Sequence, residues 1–267
     1  METIRYVILF LILAYFSSGL GQTSFAESFL NIESAEIPVN METAKAVCGD
    51  IKVVTIDHLL ACKRCPEFTT YFEQSEPLIL KAMVQGNFNS PEDRQTIVDT
   101  DGCESRSELY GGIAILQGYG KTLSRLNYQS GFRLNDCLKF RSSNDTDILV
   151  CNEQDHAQGH LFGQFSVFRF RDNTASSEVL QHWFVQEDKE LVIQPIAIEQ
   201  GDINGDNFVD LTLQFSIQVD DSAAKTTTLA FLFNGQSFEI EAKHQEIKAI
   251  LDEILKPYFE DETENGE

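Results

Sequence analysis

GDINGDNFVDLTLQFSIQVD, residues 201 to 220, carries two signals in one stretch. In its second half Val209, Leu211, Leu213, Phe215, Ile217 and Val219 alternate with Asp210, Thr212, Gln214, Ser216, Gln218 and Asp220. Successive strand side chains point to opposite faces, so this period of two predicts a strand with one face in a core. The first half places oxygen-bearing side chains at Asp202, Asn204, Asp206 and Asp210. Calcium takes roughly six to eight hard oxygen ligands, and a tight loop offers them at alternate positions. One structural Ca2+ is therefore expected, held by Asp202, Asn204, Asp206 and Asp210, a backbone carbonyl near Phe208 and a water. An EF-hand needs a Glu at the twelfth loop position, where this chain has Leu213 inside the strand. The competing reading is a plain turn, because Asp and Asn also build turns.

Outward from this strand the chain reads the same way. Short apolar runs (IKVVTI, QTIVD, GGIAIL, DILVC, FSVFRF, HWFVQ, LVIQPIAI) are separated by Gly, Asn, Asp and Ser. Many short strands with turn signals between them predict an all-β, mainly antiparallel architecture. Two segments break it. METAKAV before the first cysteine predicts a short helix. In HQEIKAILDEILKPYF, Ile247, Ile250, Leu251, Ile254 and Leu255 recur at helical spacing, predicting an amphipathic helix over 242–259 that Pro257 stops. Its apolar stripe is expected on the chain's own β core, with docking to another protein as the alternative.

The loop also has an earlier counterpart. GNFNSPEDRQTIV from Gly86 leads to GIAILQG, as GDINGDNFVDLTL from Gly201 leads to TLAFLFNG; Gly86 stands 28 positions before Ala114, and Gly201 stands 29 before Ala230. Two copies of a strand, loop and strand unit explain this economically. The earlier copy has Asn87, Asn89, Pro91 and Gln95 at the matching places, with no carboxylate, so no metal is expected there.

GDINGDNFVDLTL resembles the calcium loop of FG-GAP repeats, also described as VCBS-type repeats, found in the integrin alpha-chain propeller and in many secreted bacterial proteins. Their loop runs D-x-[DN]-x-D-G-x-x-D into a strand. The likeness is close over 201-213 and faint over 86-117; Asn207 stands where the repeats prefer Gly, and Asn tolerates the left-handed backbone that position needs. The resemblance implies a small or partial β-propeller-like assembly with calcium bracing a loop. Removing a leader leaves about 240 residues, too few for seven blades of about 40 to 50 each. A β-sandwich is the alternative.

The N-terminus points to export. Tyr6 to Phe16 is an apolar run too short to span a bilayer, and Ser24 and Ala26 suit cleavage before Glu27, with Gly19 and Gly21 as a second possibility. An uncleaved anchor is the competing reading. In an oxidising compartment the six cysteines are expected in disulfides. CLKFRSSNDTDILVC reads as a hairpin around SSND, which sets Cys137 opposite Cys151; closing such a loop contributes about 3 kcal/mol. The pairing of Cys48, Cys62, Cys65 and Cys103 stays open. CKRC at 62 to 65 has redox spacing, but Pro66 follows and no βαβ pattern surrounds it. Cys151, His156 and His160 have zinc-like spacing but lack a fourth ligand.

The domain reading is thus 1-26 signal peptide, 27-50 lead, 51-241 β-rich repeat domain, 242-259 helix and 260-267 acidic tail. Within the repeat domain lie the degenerate repeat 86-128, the disulfide hairpin 137-151 and the calcium-loop repeat 201-241. A net charge of -22, from 42 acidic against 20 basic residues, excludes nucleic acid as a partner, because phosphate backbones are bound by neutralising their charge. No second stretch is apolar enough for a membrane span. The function class expected is a secreted or periplasmic, calcium-binding, disulfide-stabilised module that meets a protein or glycan at the envelope or outside the cell. An exported hydrolase is the alternative. Asp155, His156, His182 and Asp210 are candidate acids and bases for it, yet no GxSxG or HExxH joins them.

Overall fold

The computed structural model describes residues 34–69, 76–104, 111–118, 122–157, 160–186, 191–220 and 222–259. The expected leader 1-26 and the expected acidic tail 260-267 lie outside them. The chain is all-β and mainly antiparallel, with a C-terminal helix. Elements run β1 (Glu36–Ile37), α1 (Met41–Cys48), β2 (Val53–Ile56), β3 (Leu59–Cys62), β4 (Leu78–Gly86), β5 (Gln95–Asp101), β6 (Gly111–Gln117) and β7 (Ser124–Ser130). They continue with β8 (Leu138–Arg141), β9 (Asp147–Ala157), β10 (His160–Arg171), β11 (Thr174–Gln186), β12 (Leu191–Gly201), β13 (Asp210–Val219), β14 (Lys225–Phe233), β15 (Phe238–Ile240) and α2 (Gln245–Phe259). One sheet follows the order β2 to β7, with β1 joining β4, and the other follows β8 to β15. Both are open meanders. Sequence neighbours pair because two-residue turns allow it: Asp57 and His58 between β2 and β3, and Asp172 and Asn173 between β10 and β11, all have positive φ, as primed hairpin turns require.

Two compact units divide the chain, and β9, β10 and β11 contribute to both. The first comprises Glu33–Asp155 and Gln164–Leu180. Its central strands β5 and β6 are buried on both faces. Alternate residues serve different cores: Ile97, Ile113 and Ile115 pack with Phe88, Leu149, Phe168 and Phe170, whereas Val98, Ala114 and Leu116 pack with Ala44, Val47, Leu78 and Leu80. Residues of both sheets meet in the former cluster. In the latter, α1 covers the opposite face.

The part of the expected lead from residue 34 onward belongs to this unit. Asn40 caps α1 by accepting from the Thr43 N–H at 2.9 Å, and β1 pairs with Met83 and Val84 of β4. Disulfides join Cys48 to Cys62, Cys65 to Cys103 and Cys137 to Cys151. Register explains the last, since Leu138 pairs with Val150 and the cysteines take the next facing positions. CKRC therefore contains no internal disulfide, its two cysteines being bound elsewhere, and Cys151 is engaged away from any zinc.

The second unit comprises the described parts of His156–Gly163 and Gln181–Glu267. In β13 Leu211, Leu213, Phe215 and Ile217 are buried. The strand starts only at Asp210, and Val209, expected on its apolar face, is exposed. Pro195 lies within β12, where the pairing with β13 shifts register between Pro195 and Ala197; a bulge accommodates the missing donor. Helix α2 buries Leu251 and Leu255, stacks Tyr258 on Phe184 at 4.2 Å and sets Phe259 4.2 Å from His182. It does not stop at Pro257 but reaches Phe259. In the last turn proline removes a single N–H, and the aromatic contacts hold the final residues in place.

Candidate metal centre

The loop between β12 and β13 closes where Gly201 pairs with Asp210. Gly205 (φ 79°) and Asn207 (φ 72°) supply left-handed turns, so the Asn in place of the resembled Gly adopts the expected backbone. All four side chains named from sequence bond to this loop. Asp202 Oδ1 accepts from the N–H groups of Gly205 (2.7 Å) and Asp206 (3.2 Å), and its Oδ2 from Asn207 (3.1 Å). Asn204 Oδ1 accepts from Asp206 N–H at 3.0 Å, and its amide donates to Asp206 Oδ2 at 2.9 Å. Asp206 Oδ1 accepts from Phe208 N–H at 2.8 Å. The Phe208 ring meets Phe233 edge-on at 5.9 Å and ties the loop to the core.

Asp210 differs from the other three. They are exposed, whereas Asp210 is 0% exposed, with Oδ2 accepting from Ile203 N–H (2.8 Å) and Oδ1 from Phe233 N–H at the end of β14 (2.7 Å). It bolts loop and sheet together by satisfying two backbone donors. The donor types fit calcium, because each carboxylate oxygen keeps further acceptor capacity after an N–H bond. Among the described residues, however, no three His, Cys, Asp or Glu side chains already converge as a metal-holding group.

The earlier copy has the same frame. Gly86 pairs with Gln95 as Gly201 pairs with Asp210, and Gln95 Oε1 accepts from Asn89 N–H at 3.0 Å. Its loop is held by other means. The Asn173 side chain accepts from both Asn89 and Gln95 amides, and Asp147 Oδ2 accepts from Asn87 N–H at 2.8 Å. A neighbouring amide and carboxylate thus do the bracing.

Sequence reading overlooked a second polar group, inside the first unit. Asp99 is 1% exposed; its Oδ1 accepts from Leu134 N–H at 3.3 Å and its Oδ2 has no partner. Burial pushes its carboxyl up to about 8, against the pull of the nearby Arg133 guanidinium. Arg133 itself bonds Asp101 at 3.0 Å and the Thr100 carbonyl at 3.2 Å. Glu36, which accepts from Cys137 N–H at 2.8 Å, is likewise raised by burial to about 7. QTIVDTD offers no hint of this, since only the packing of both faces of β5 buries the acid.

Of the hydrolase candidates, His182 and Asp210 are engaged in packing and in backbone hydrogen bonds. His182 packs against Phe259, and burial lowers its pKa. Asp210 holds backbone, Asp155 lies on β9, and the His156 side chain is outside the described residues. His160 packs 5.4 Å from Phe184 with Nδ1 buried and unpartnered. Comparison with family models, with curated proteins and with solved structures finds no match, so the likeness to FG-GAP repeats rests on the residues of the 201-213 loop.

Proposed function

We propose that this is an exported, non-catalytic β-sheet module that meets a protein or glycan, and that the 202–210 loop binds one structural calcium ion. The observation that carries the calcium reading is the inward turn of Asp202, Asn204, Asp206 and Asp210, every one of which accepts an N–H from the same short loop. The backbone is already wound, and the ion asks only that exposed carboxylates close on it. Drawing the exposed carboxylates of Asp202 and Asp206 towards Asp210 needs a cation to offset their charges, so a bound calcium stabilises the folded state by mass action. The three disulfides fit an extracellular protein and suit the proposed export. No described helix is long and apolar enough to cross a membrane.

Thermal unfolding of the protein with calcium and with chelator tests this. Calcium at a hundred times its Kd adds about 2.7 kcal/mol and raises the melting temperature. Asp206→Ala removes most of that gain, while Asn89→Ala in the earlier copy preserves it. Magnesium substitutes poorly, being smaller and stricter in geometry. Identical melting curves in calcium and chelator reduce the loop to an Asx-rich turn.

A further inference from the structure

The CKRC segment plays no part in the calcium reading, and its disulfides give it a different setting. Cys62 is tied to α1 through Cys48, and Cys65 to Cys103, so Lys63 and Arg64 are presented from a loop clamped at both ends. The Lys63 N–H donates to the Lys52 carbonyl at 2.9 Å. Beside this loop opens a cavity of about 700 Å³, walled by the end of α1, residues 64–68 and Arg125 of β7. The Arg125 guanidinium lies 3.6 Å over the centroid of the Phe68 ring, which is itself 4.9 Å from Tyr128. Stacking fixes the guanidinium plane and leaves its N–H edge for an acceptor. Partial burial lowers the Arg125 pKa.

The distribution of charge marks the same place. Elsewhere the described lysines and arginines are engaged: Lys81 and Arg133 with Asp101, Arg141 with Asp145 and Asp147, Arg169 with Glu178, Arg171 with Asp172, Lys243 with Glu241, and Lys248 with Asp252. Lys139 donates to the Gln85 carbonyl, and Arg94, Lys225 and Lys256 have contacts of their own. Lys45, Lys52, Lys63, Arg64 and Arg125 form no ion pair among the described residues, and they belong to α1, to the segments flanking β2 and β3, and to β7. Helix α1 touches β2, β3 and β7, so these cations share one region of a strongly acidic chain. Asp50 and Glu67 also line the cavity, and neither pairs with its arginines.

The geometry points to an anion-binding pocket for a ring-bearing organic anion. Its carboxylate or phosphate accepts from Arg125 and Arg64, and its ring lies against the half-buried Ile51 at the cavity wall. A planar guanidinium grips either group through paired N–H donors, and the apolar wall favours a ring over a bare ion. The site stands independently of the calcium loop.

Phenyl phosphate, benzoate and inorganic phosphate, each titrated at low salt and followed by amide NMR shifts, provide the test. The expected result is saturable binding of phenyl phosphate or benzoate, with shifts confined to the end of α1, residues 64–68 and β7. Whichever binds tighter names the anionic group. Arg125→Ala weakens binding at least tenfold while lowering the melting temperature by a few degrees at most, Arg125→Lys falls between in affinity, and Arg171→Ala has no effect. Should Arg125→Ala fail to fold, Arg64→Ala on its exposed loop supplies the same test. Absence of saturation with both ring compounds overturns the proposal, as does undiminished affinity in the arginine variant. Inorganic phosphate binding as tightly as phenyl phosphate overturns the assignment of the apolar wall.

Discussion

Gly86 and Gly201 occupy matching places in the two loops, yet their surroundings differ at the scale of single atoms. A Cβ on Gly86 would stand 2.7 Å from Asp147 Oδ2 and 2.8 Å from Phe88 Cζ, whereas one on Gly201 meets nothing within 4 Å. Gly86→Ala is therefore expected to cost about 1–3 kcal/mol by overpacking, and Gly201→Ala to stay within about 0.5 kcal/mol; urea unfolding of both variants checks the contrast. Asp99 supplies a second prediction. Its folded pKa is raised from 3.8 to about 8, so between those values the folded state binds more protons than the unfolded one. Its favourable contribution is complete below about pH 4 and is lost as pH rises to about 8. Asp99→Asn keeps an acceptor for Leu134 N–H and removes the charge. Stability of the variant, followed from pH 4 to 8, should fall less than that of the wild type; parallel pH curves would show that Asp99 stays ionised in its site.

At the scale of elements, one disulfide ties α1 to β3, one ties the loop after β3 to the segment just after β5, and one closes the β8–β9 hairpin. Cys48–Cys62 and Cys137–Cys151 each span 14 residues in sequence, and Cys65–Cys103 spans 38. The chain-entropy relation assigns about 3 kcal/mol to the shorter loops and about 4 kcal/mol to the longer. Paired Cys→Ala variants, compared by denaturant midpoint, should rank in that order. A larger loss at Cys137–Cys151 would show that local packing in the hairpin outweighs loop length. Strand β7 illustrates why some elements were hard to read. SRLNYQS has no apolar alternation, because it is an edge strand whose Asn127 and Gln129 side chains bond the Asn173 and Ala175 carbonyls. By contrast, METAKAV and the stripe from Ile247 to Leu255 announced their helices, since a helical period is local. The helix ends at the expected Phe259, but that Pro257 would not stop it first was not legible, because the last turn depends on Tyr258 and Phe259 finding Phe184 and His182.

For the molecule as a whole, the export reading predicts that intact-mass analysis of protein recovered without detergent gives a chain starting near Glu27, with all six cysteines refractory to alkylation until reduced. A chain retaining Met1 to Phe16 and sedimenting with membranes would make the apolar run an anchor. By itself the amino-acid order determined what rests on near neighbours: alternating strands, two helices, an even cysteine count, a hairpin facing Cys137 to Cys151, and a loop rich in hard oxygen donors. Period, turn chemistry and charge act over a few residues, so they can be read along the chain. Only the tertiary structure decided how the other four cysteines pair, that β5 and β6 are covered on both faces, that Asp99 is sealed in a core, and that Arg125 stacks on Phe68. Each of these joins residues far apart in sequence. Their partners are selected by the burial of apolar surface over the whole fold, which no single segment records.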